Sequence, residues 1–306
     1  MTDPLLTIII VTWNGGAKLL NCLTSIYAGR LPPALIVVID NASSDDSMQR
    51  LQTMFPKVEA HQNQTNIGHT KAVNQGFALS RGEYILVLDQ DTELQPDCIE
   101  LMLGFLEARP DVAMVAPRTF NTDGTVQESA RNFPEVMSGL FGRQSLLTRL
   151  WPGNPVTRRY LGREFLQATT PFRVEQIGGA CMLFRRRVLD LVGPLDERYL
   201  GYWVDTDWCR SLHRKGLPIY CVPEARLTHH EGNAKHRRKT ARRIWMFHRG
   251  AHQYYTKWHC RGPWDPRSIF AGLMLALRAS LQTIVNKVAQ IDVPANHQGS
   301  SRGPVV

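Results

Sequence analysis

Glu83-Tyr84-Ile85-Leu86-Val87-Leu88-Asp89-Gln90-Asp91 is the stretch that decides how the rest of the chain is read. Tyr84 to Leu88 is a short unbroken apolar run, the pattern of a strand buried on both faces of a sheet. It passes directly into two carboxylates spaced two apart. Acids so placed at a strand end can reach one divalent cation, because Mg²⁺ and Mn²⁺ prefer oxygen and bind through one or two carboxylates plus substrate phosphates. The same residues also suit an Asp-rich turn before the next helix. On its own the triplet leaves these two readings level.

Outward from this strand, the first half of the chain alternates strand and helix signals. Thr7 to Thr12 and Leu35 to Ile39 are apolar and β-branched, Val58 to His61 is a weaker strand, and Val112 to Ala116 is another. Helical spacing occupies Ala17 to Tyr27, Thr70 to Leu79 and Asp97 to Glu107. A further helix runs through Met48, Leu51 and Phe55, with Ser43 or Ser44 as its N-cap and Pro56 at its end. Strands separated by helices of about ten residues predict an α/β fold with a mostly parallel sheet. In such sheets ligands bind beyond the carboxyl ends of the strands. Thr12-Trp13-Asn14, Asp40-Asn41 and Asp89-Gln90-Asp91 are therefore expected to converge on one edge. Ser138 to Phe172 breaks the rhythm and reads as an irregular excursion over the site. Strand signals return at Val174, Ala180 to Phe184, Pro218 to Val222 and Ala225 to Thr228, with a helix at Arg187 to Val192.

Composition narrows the classes. With 43% apolar and 21% charged residues in 306, the chain is neither disordered nor fibrous. Its net charge of +9 favours an anionic partner without choosing one. Lys235 to Arg249 concentrates seven Lys/Arg and two His, yet no nucleic-acid module accompanies them, so a nucleic-acid partner is not expected. The six cysteines are scattered without metal-binding spacing and read as reduced core thiols of a cytoplasmic protein. No secretory signal is visible, and no run reaches the roughly 18 apolar residues of a spanning helix. Ile269 to Leu277 is an uninterrupted apolar run, either a docking helix or an interfacial membrane anchor.

Asp40 offers a carboxylate that can accept the N3–H of uracil or thymine, although a turn with a helix cap explains it locally as well. Asn66-Ile67-Gly68 and Asn74-Gln75-Gly76 put amides and small residues where backbone must approach a ligand.

Taken in order, Thr12-Trp13-Asn14, Asp40-Asn41-Ala42-Ser43, Asn66-Ile67-Gly68, Asn74-Gln75-Gly76 and Asp89-Gln90-Asp91 resemble the inverting glycosyltransferases of family 2, which have the GT-A fold. Gly178-Gly179-Ala180, Gly193-Pro194-Leu195-Asp196-Glu197 and Asp205-Thr206-Asp207-Trp208-Cys209-Arg210 continue the likeness, over roughly residues 5 to 260. Two local forms resemble the rhamnosyltransferase branch, Leu88-Asp89-Gln90-Asp91-Thr92 and Val204-Asp205-Thr206-Asp207-Trp208-Cys209. The family usually has Glu-Asp where this chain has Val204-Asp205, which removes one acid and keeps the other.

The resemblance implies a nucleotide-sugar donor, dTDP- or UDP-linked, bound by Thr12, Trp13, Asn14, Asp40, Asn41, Ser43, Asn66, Gly68, Asn74, Asp89 and Gln90. It implies Mg²⁺ or Mn²⁺ at Asp89, Asp91 and His229, with Asp91 the direct ligand and Asp89 holding either the ribose or the cation through water. His229-His230-Glu231-Gly232 is similar to the family's His-x-x-Gly beside the metal. Asp205 matches the catalytic base, Asp207 is its rival, and Trp203 and Trp208 could stack on an acceptor sugar.

The implied organisation is a GT-A domain over 1–232, divided at 117/118 into donor and acceptor halves. A basic and apolar helical extension over 233–290 and a disordered tail over 291–306 would follow. The implied activity is transfer of rhamnose from dTDP-rhamnose to a cell-surface glycan or lipid-linked acceptor, by a cytoplasmic enzyme with peripheral contact to the inner face of the membrane. Another donor such as a UDP-hexose, or a non-catalytic basic binding module, are the alternatives. A sugar nucleotidyltransferase would need a longer glycine-rich loop than Trp13-Asn14-Gly15-Gly16-Ala17-Lys18.

Overall fold

The computed structural model describes residues 4–30, 32–135, 148, 150–230 and 240–291. Most of the first half of the expected excursion, Glu231-Gly232, Lys235 to Lys239 and nearly all of the expected tail lie outside the described residues. The chain divides into two compact units, Met1–Lys235 and His236–Val306.

The first unit is an α/β sandwich. Strands β1 (Leu6–Thr12), β2 (Ala34–Asp40), β3 (Glu59–Gln62) and β4 (Tyr84–Asp89) form a wholly parallel run in the order β3-β2-β1-β4. Their connections carry α1 (Gly16–Ala28), α2 (Ser47–Met54) and α3 (His69–Leu79). After the short β5 (Thr92–Leu94), α4 (Cys98–Ala108) leads to β6 (Met114–Phe120) and β7 (Ala130–Arg131). Next come α5 (Pro155–Leu161), β8 (Phe172–Val174), β9 (Gln176–Ile177), β10 (Cys181–Arg185) and α6 (Arg187–Val192). The unit closes with α7 (Val204–Arg214) and β11 (Ile219–His229). β10 inserts antiparallel between β4 and β6, and β11 then runs parallel to β6 with β5 at its far side.

Continuous burial of Leu6 to Thr12 and of Tyr84 to Leu88 confirms a sheet covered on both faces. One face packs Leu19, Leu23, Ile26, Met102 and Leu106 from α1 and α4 against Ile8, Ile10, Leu86 and Leu88. Thr12 pairs with Asp40, Asp40 with Gln62 and Val11 with Asp89, so the parallel strands end level. Because β10 is antiparallel to both β4 and β6, the ends of β6 and β11 emerge at this same edge, as does the start of β10.

Three local readings change. Helix α2 begins at Ser47, with Asp46 as N-cap, because Ser43 and Ser44 are engaged elsewhere: Ser43 Oγ donates to Asp40 Oδ1, and Ser44 N donates to Asn14 Oδ1 at 2.8 Å. The two segments at 218–222 and 225–228 are one strand, β11, with a register shift between Val222 and Arg226, where Pro223 lacks an N–H for the ladder. The described part of the excursion is not irregular. Asn154 caps α5 by accepting from Thr157 N at 2.8 Å, and Pro155 sits at the first helical position, where its missing N–H costs nothing.

The second unit is a helix pair, α8 (Ala241–His259) and α9 (Pro266–Ile291). Thr240 caps α8. The helices meet where Thr256 and Ser268 share a hydroxyl bond of 2.7 Å and where Gly272 lies against the His252 ring, a Cβ there falling 3.1 Å from Nε2. Pro266–Lys287 is long and apolar enough to cross a membrane, with a mean hydropathy of 1.5. This corrects the expectation that no segment qualifies. Counting only unbroken runs stops at Arg278, whereas hydropathy averaged along the helix absorbs a single charge.

Candidate functional site

Two loops frame the strand edge, and the polar residues between β1 and β2 clamp them together. Asn14 N donates to Ser43 Oγ at 2.8 Å, Gly16 N to Ser47 Oγ at 2.7 Å, and Ser47 Oγ to Asp45 at 2.5 Å. Asp40 is fully buried, and both its oxygens accept from Ser43 N at 3.2 Å. Buried Asn41 accepts from Ile67 N at 3.2 Å and from Asn63 Nδ2 at 3.3 Å, tying in the loop before α3. Asn66 accepts from Gly68 N, whose φ of +91° only glycine adopts readily. Asn14, Ala42 and Trp203 are the non-glycine residues with left-handed backbone among the described residues, and all three border this edge. Strain retained there matches a preorganised site.

Gln90 folds back on β1. Its Oε1 accepts from Thr12 Oγ1 at 2.6 Å and from Trp13 N at 3.2 Å. Gly15 makes this possible, since a Cβ there would fall 2.5 Å from Thr12 Oγ1 and 2.6 Å from Gln90 Oε1. The Trp13 ring is left 54% exposed at the rim.

With Gln90 turned aside, its flanking acids point to a common place. His229 Nε2 lies 3.3 Å from Asp91 Oδ1 and 3.8 Å from Asp89 Oδ2, and one ligand atom from each of Asp89, Asp91 and His229 falls within 4.8 Å of the others. His229 rather than His230 faces the acids. His230, just past the end of β11, turns instead to Glu93, at 2.9 Å. His69 Nε2 approaches Asp89 Oδ1 at 3.9 Å, and Lys18 Nζ approaches Asp91 Oδ2 at 3.9 Å.

These surroundings separate the two carboxyls. Burial raises Asp89 above the usual carboxylate range, with Asp91 and Asp205 adding repulsion, and His69 and His229 only partly offset it. Burial pushes Asp91 up too, but its hydrogen bond to His229 and the charges of His229 and Lys18 outweigh that and hold it below the usual range. Two carboxylates and an imidazole converging on one point, with one carboxyl left undercompensated, are a donor set that fits a divalent cation.

Asp205 sits in the first turn of α7. Its Oδ2 accepts from Gly179 N at 3.2 Å and its Oδ1 from Thr206 N at 2.8 Å. Gly178-Gly179 brings the chain before β10 close to it, with a Cβ on Gly179 3.7 Å from the Asp205 Cβ. Asp207 is oriented differently: it is buried and accepts from Tyr199 OH at 3.0 Å. Trp208 is buried between Phe77 and Phe184 and donates to Gly193 O. Trp203 remains partly exposed at the start of α7. Asn74 turns to the Leu195 to Glu197 loop, bonding Leu195 N and O at 3.0 and 2.9 Å and Glu197 at 3.1 Å.

Lys18 and His69, beside the acids, and Gln127, against His229, are neighbours that the sequence motifs do not single out. Lys18 and His69 each lie in the first turn of a helix that follows a glycine cap, the one signal that could have flagged them.

Comparison with known proteins agrees with this geometry. The glycosyl transferase family 2 model matches residues 7–193. The chain is 29% identical over 245 residues to an N-acetylglucosaminyl-diphospho-decaprenol L-rhamnosyltransferase of Mycobacterium tuberculosis, covering 76% of this chain and 78% of the relative. It is 24% identical over 231 residues to the dTDP-rhamnosyl transferase RfbF of Shigella flexneri, covering 74% and 69%. Among solved structures it is similar in fold to GalNAc-T7 with UDP, GalNAc and Mn²⁺, with a TM-score of 0.58 and 16% identity. That match covers 83% of this chain and spans half of the GalNAc-T7 chain. With a family match across most of the sheet and an acidic strand edge to go with it, the chain belongs to glycosyl transferase family 2, with rhamnosyltransferases among its relatives.

Proposed function

We propose that the chain transfers rhamnose from dTDP-rhamnose to a hydroxyl of a cell-surface glycan or lipid-linked acceptor, with inversion and with dependence on Mg²⁺ or Mn²⁺. The observation that carries this reading is the convergence of Asp89, Asp91 and His229 on one point, near enough to Asp205 for the Asp205 charge to bear on Asp89.

Asp89, Asp91 and His229 would hold the cation, which would supply positive charge beside the leaving nucleoside diphosphate. The chain's own residues do the rest by positioning and electrostatics. Trp13 offers an exposed aromatic face for the base, and the loops fixed by Asp40, Asn41, Ser43 and Asn66 shape its slot. Lys18 adds positive charge to the donor side, and His69 faces Asp89 there. Asp205 accepts the proton of the acceptor hydroxyl as its oxygen bonds to the anomeric carbon from the face opposite the departing diphosphate. The Gly179 N–H fixes one Asp205 oxygen. Asp207, held by Tyr199, is assigned to organising α7. Trp203 is the aromatic group that remains for the acceptor, while Trp208 belongs to the core.

A lipid-linked acceptor fits the second unit. Ile269, Phe270, Leu273, Met274, Leu277 and Leu281 lie exposed at helical spacing along α9, while Ser268 and Ala279 are buried. Residues 240–291 carry eight Lys and Arg against Asp265 alone. An apolar stripe with basic residues suits a helix lying in an anionic interface. A helix with one side packed on α8 is better suited to that than to spanning. An enzyme anchored in this way would work at the inner face of the cytoplasmic membrane.

Release of dTDP, UDP or GDP from a panel of nucleotide sugars, with Mn²⁺, Mg²⁺ or chelator, tests the reading. It requires dTDP release from dTDP-rhamnose that stops in chelator; turnover of a UDP-hexose alone would overturn the donor assignment.

A further inference from the structure

His229 is the one ligand of the acidic cluster that has two tautomers. An imidazole binds a cation through a nitrogen without a proton, so something must keep the proton on the other nitrogen. Which nitrogen carries it can be deduced from a chain of side chains on the hairpin after β6.

The deduction starts at Asp123, whose ionised carboxylate can only accept. Thr125 Oγ1 donates its single proton to Asp123 Oδ1 at 2.5 Å. Toward Asn121 that hydroxyl can then only accept, so the Asn121 atom facing it, 2.9 Å away, is the amide NH₂. The Asn121 oxygen therefore points the other way and takes the NH₂ of Gln127 at 3.0 Å. This leaves Gln127 Oε1 facing His229 Nδ1 at 3.1 Å. A carbonyl oxygen cannot donate, so Nδ1 carries the proton. Each amide orientation, ambiguous when taken alone, is forced by its neighbour back to the carboxylate.

The relay is rigidly mounted. Gln127 N donates to Thr119 O at 2.8 Å, Asn121 N to Thr125 O at 2.8 Å, and Phe120 bridges Val126. Gly124, with φ of +78°, closes the turn. On the opposite side of the ring, Nε2 faces Asp91 and Asp89. With Nδ1–H fixed, Nε2 either shares a proton with Asp91 or presents its lone pair to a cation.

We propose that Gln127, oriented by Asn121, Thr125 and Asp123, is a positioning residue that locks His229 in the Nδ1–H form and so keeps Nε2 available as a metal ligand. The inference rests on the cation reading given above. It adds that the hairpin at 119–127, which holds no ligand of its own, sets the affinity of the site.

The test is Mn²⁺ binding, followed by the electron paramagnetic resonance of free Mn²⁺, for wild type, Gln127→Leu, Gln127→Glu and His229→Ala, each shown to melt cooperatively in chelator. Gln127→Leu is expected to weaken Mn²⁺ about ten-fold, the usual scale for removing such an outer partner. Gln127→Glu, which keeps an oxygen toward Nδ1, is expected to retain most of the affinity. Wild-type affinity in Gln127→Leu, with binding lost in His229→Ala, would overturn the relay and leave the cation site standing. Undiminished binding in His229→Ala would overturn both. Nitrogen-15 resonances of the His229 ring in metal-free wild type, read where the ring is neutral, give a check that needs no variant. The Nδ1–H form is expected, and an Nε2–H form would refute the assignment.

Discussion

The two units depart from ordinary residue sorting in opposite senses. The α/β unit takes Asp40, Asn41, Asp91 and Asp207 out of water, whereas the helix pair leaves Ile269, Phe270, Leu273 and Leu277 in it. A buried polar group and an exposed apolar stripe are the informative exceptions, because apolar-inside sorting costs nothing to explain. In the first unit each of these four buried groups has a partner: Ser43 for Asp40, Ile67 N for Asn41, His229 for Asp91, Tyr199 for Asp207. In the second unit Leu273 and Leu277 remain solvent-facing. One set is made to hold something small and charged, and the other to meet something broad and apolar.

If that contrast holds, the largest loss of activity comes from the strand edge. Asp205→Asn should lower kcat by about 10² to 10⁴, the usual worth of a positioned base, while leaving Mn²⁺ affinity near wild type. Near-normal kcat in this variant would move the base elsewhere. Trp208→Ala tests the complementary assignment to the core. Buried between Phe77 and Phe184, it should cost about 3–5 kcal/mol in denaturant unfolding. A well-folded variant with a raised KM for acceptor would instead return Trp208 to the acceptor site.

The fold was legible because its signals are local and redundant. Tyr84 to Leu88 could only be a buried strand, and the level ends of β1, β2 and β4 follow from parallel pairing. The acids at the edge were legible only through the ordered motifs around them, because the triplet alone suits a turn equally well. What lay hidden depended on distant partners. Nothing near Asn74 announces that its amide serves Leu195, and nothing near Gln127 points to His229, 102 residues away. Ser43 looked like a cap because hydroxyls before a helix usually are one, but Asp40 and Asn14 claimed it first. Asn154-Pro155 was a helix start in plain view, obscured by the Arg- and aromatic-rich residues around it.

A smaller effect is expected on the other side of the contrast. Leu273→Glu with Leu277→Glu places two charges on the exposed stripe of α9. Co-sedimentation with vesicles containing anionic lipid should fall about ten-fold or more, since each Leu is worth about 1.5–3 kcal/mol when buried. Turnover of a water-soluble acceptor should not change. Equal sedimentation of variant and wild type would remove the membrane from the account and leave a protein partner for that face.

The smallest effect separates Asp89 from Asp91, and it turns on sign. Asp89 has its folded pKa raised by burial, so the folded state binds its proton more tightly than the unfolded chain does. Stability therefore falls as pH rises from the unfolded value of about 3.9 through the raised folded value, and above that the charge is a standing cost. Asp91 is the reverse. Its folded pKa is lowered, so it contributes stability above about pH 3.9 that is lost as pH falls through the folded value. In chelator at neutral pH, Asp89→Asn should raise Tm and Asp91→Asn should lower it, by calorimetry. Added Mn²⁺ should then raise wild-type Tm by mass action and do little for either variant. If both substitutions moved the chelated Tm the same way, the two acids would not be held apart by His229 and Lys18. A rise for Asp89→Asn that Mn²⁺ turns into a deficit against wild type would mean that the strand edge bears a charge the fold alone disfavours and only a bound cation makes worthwhile.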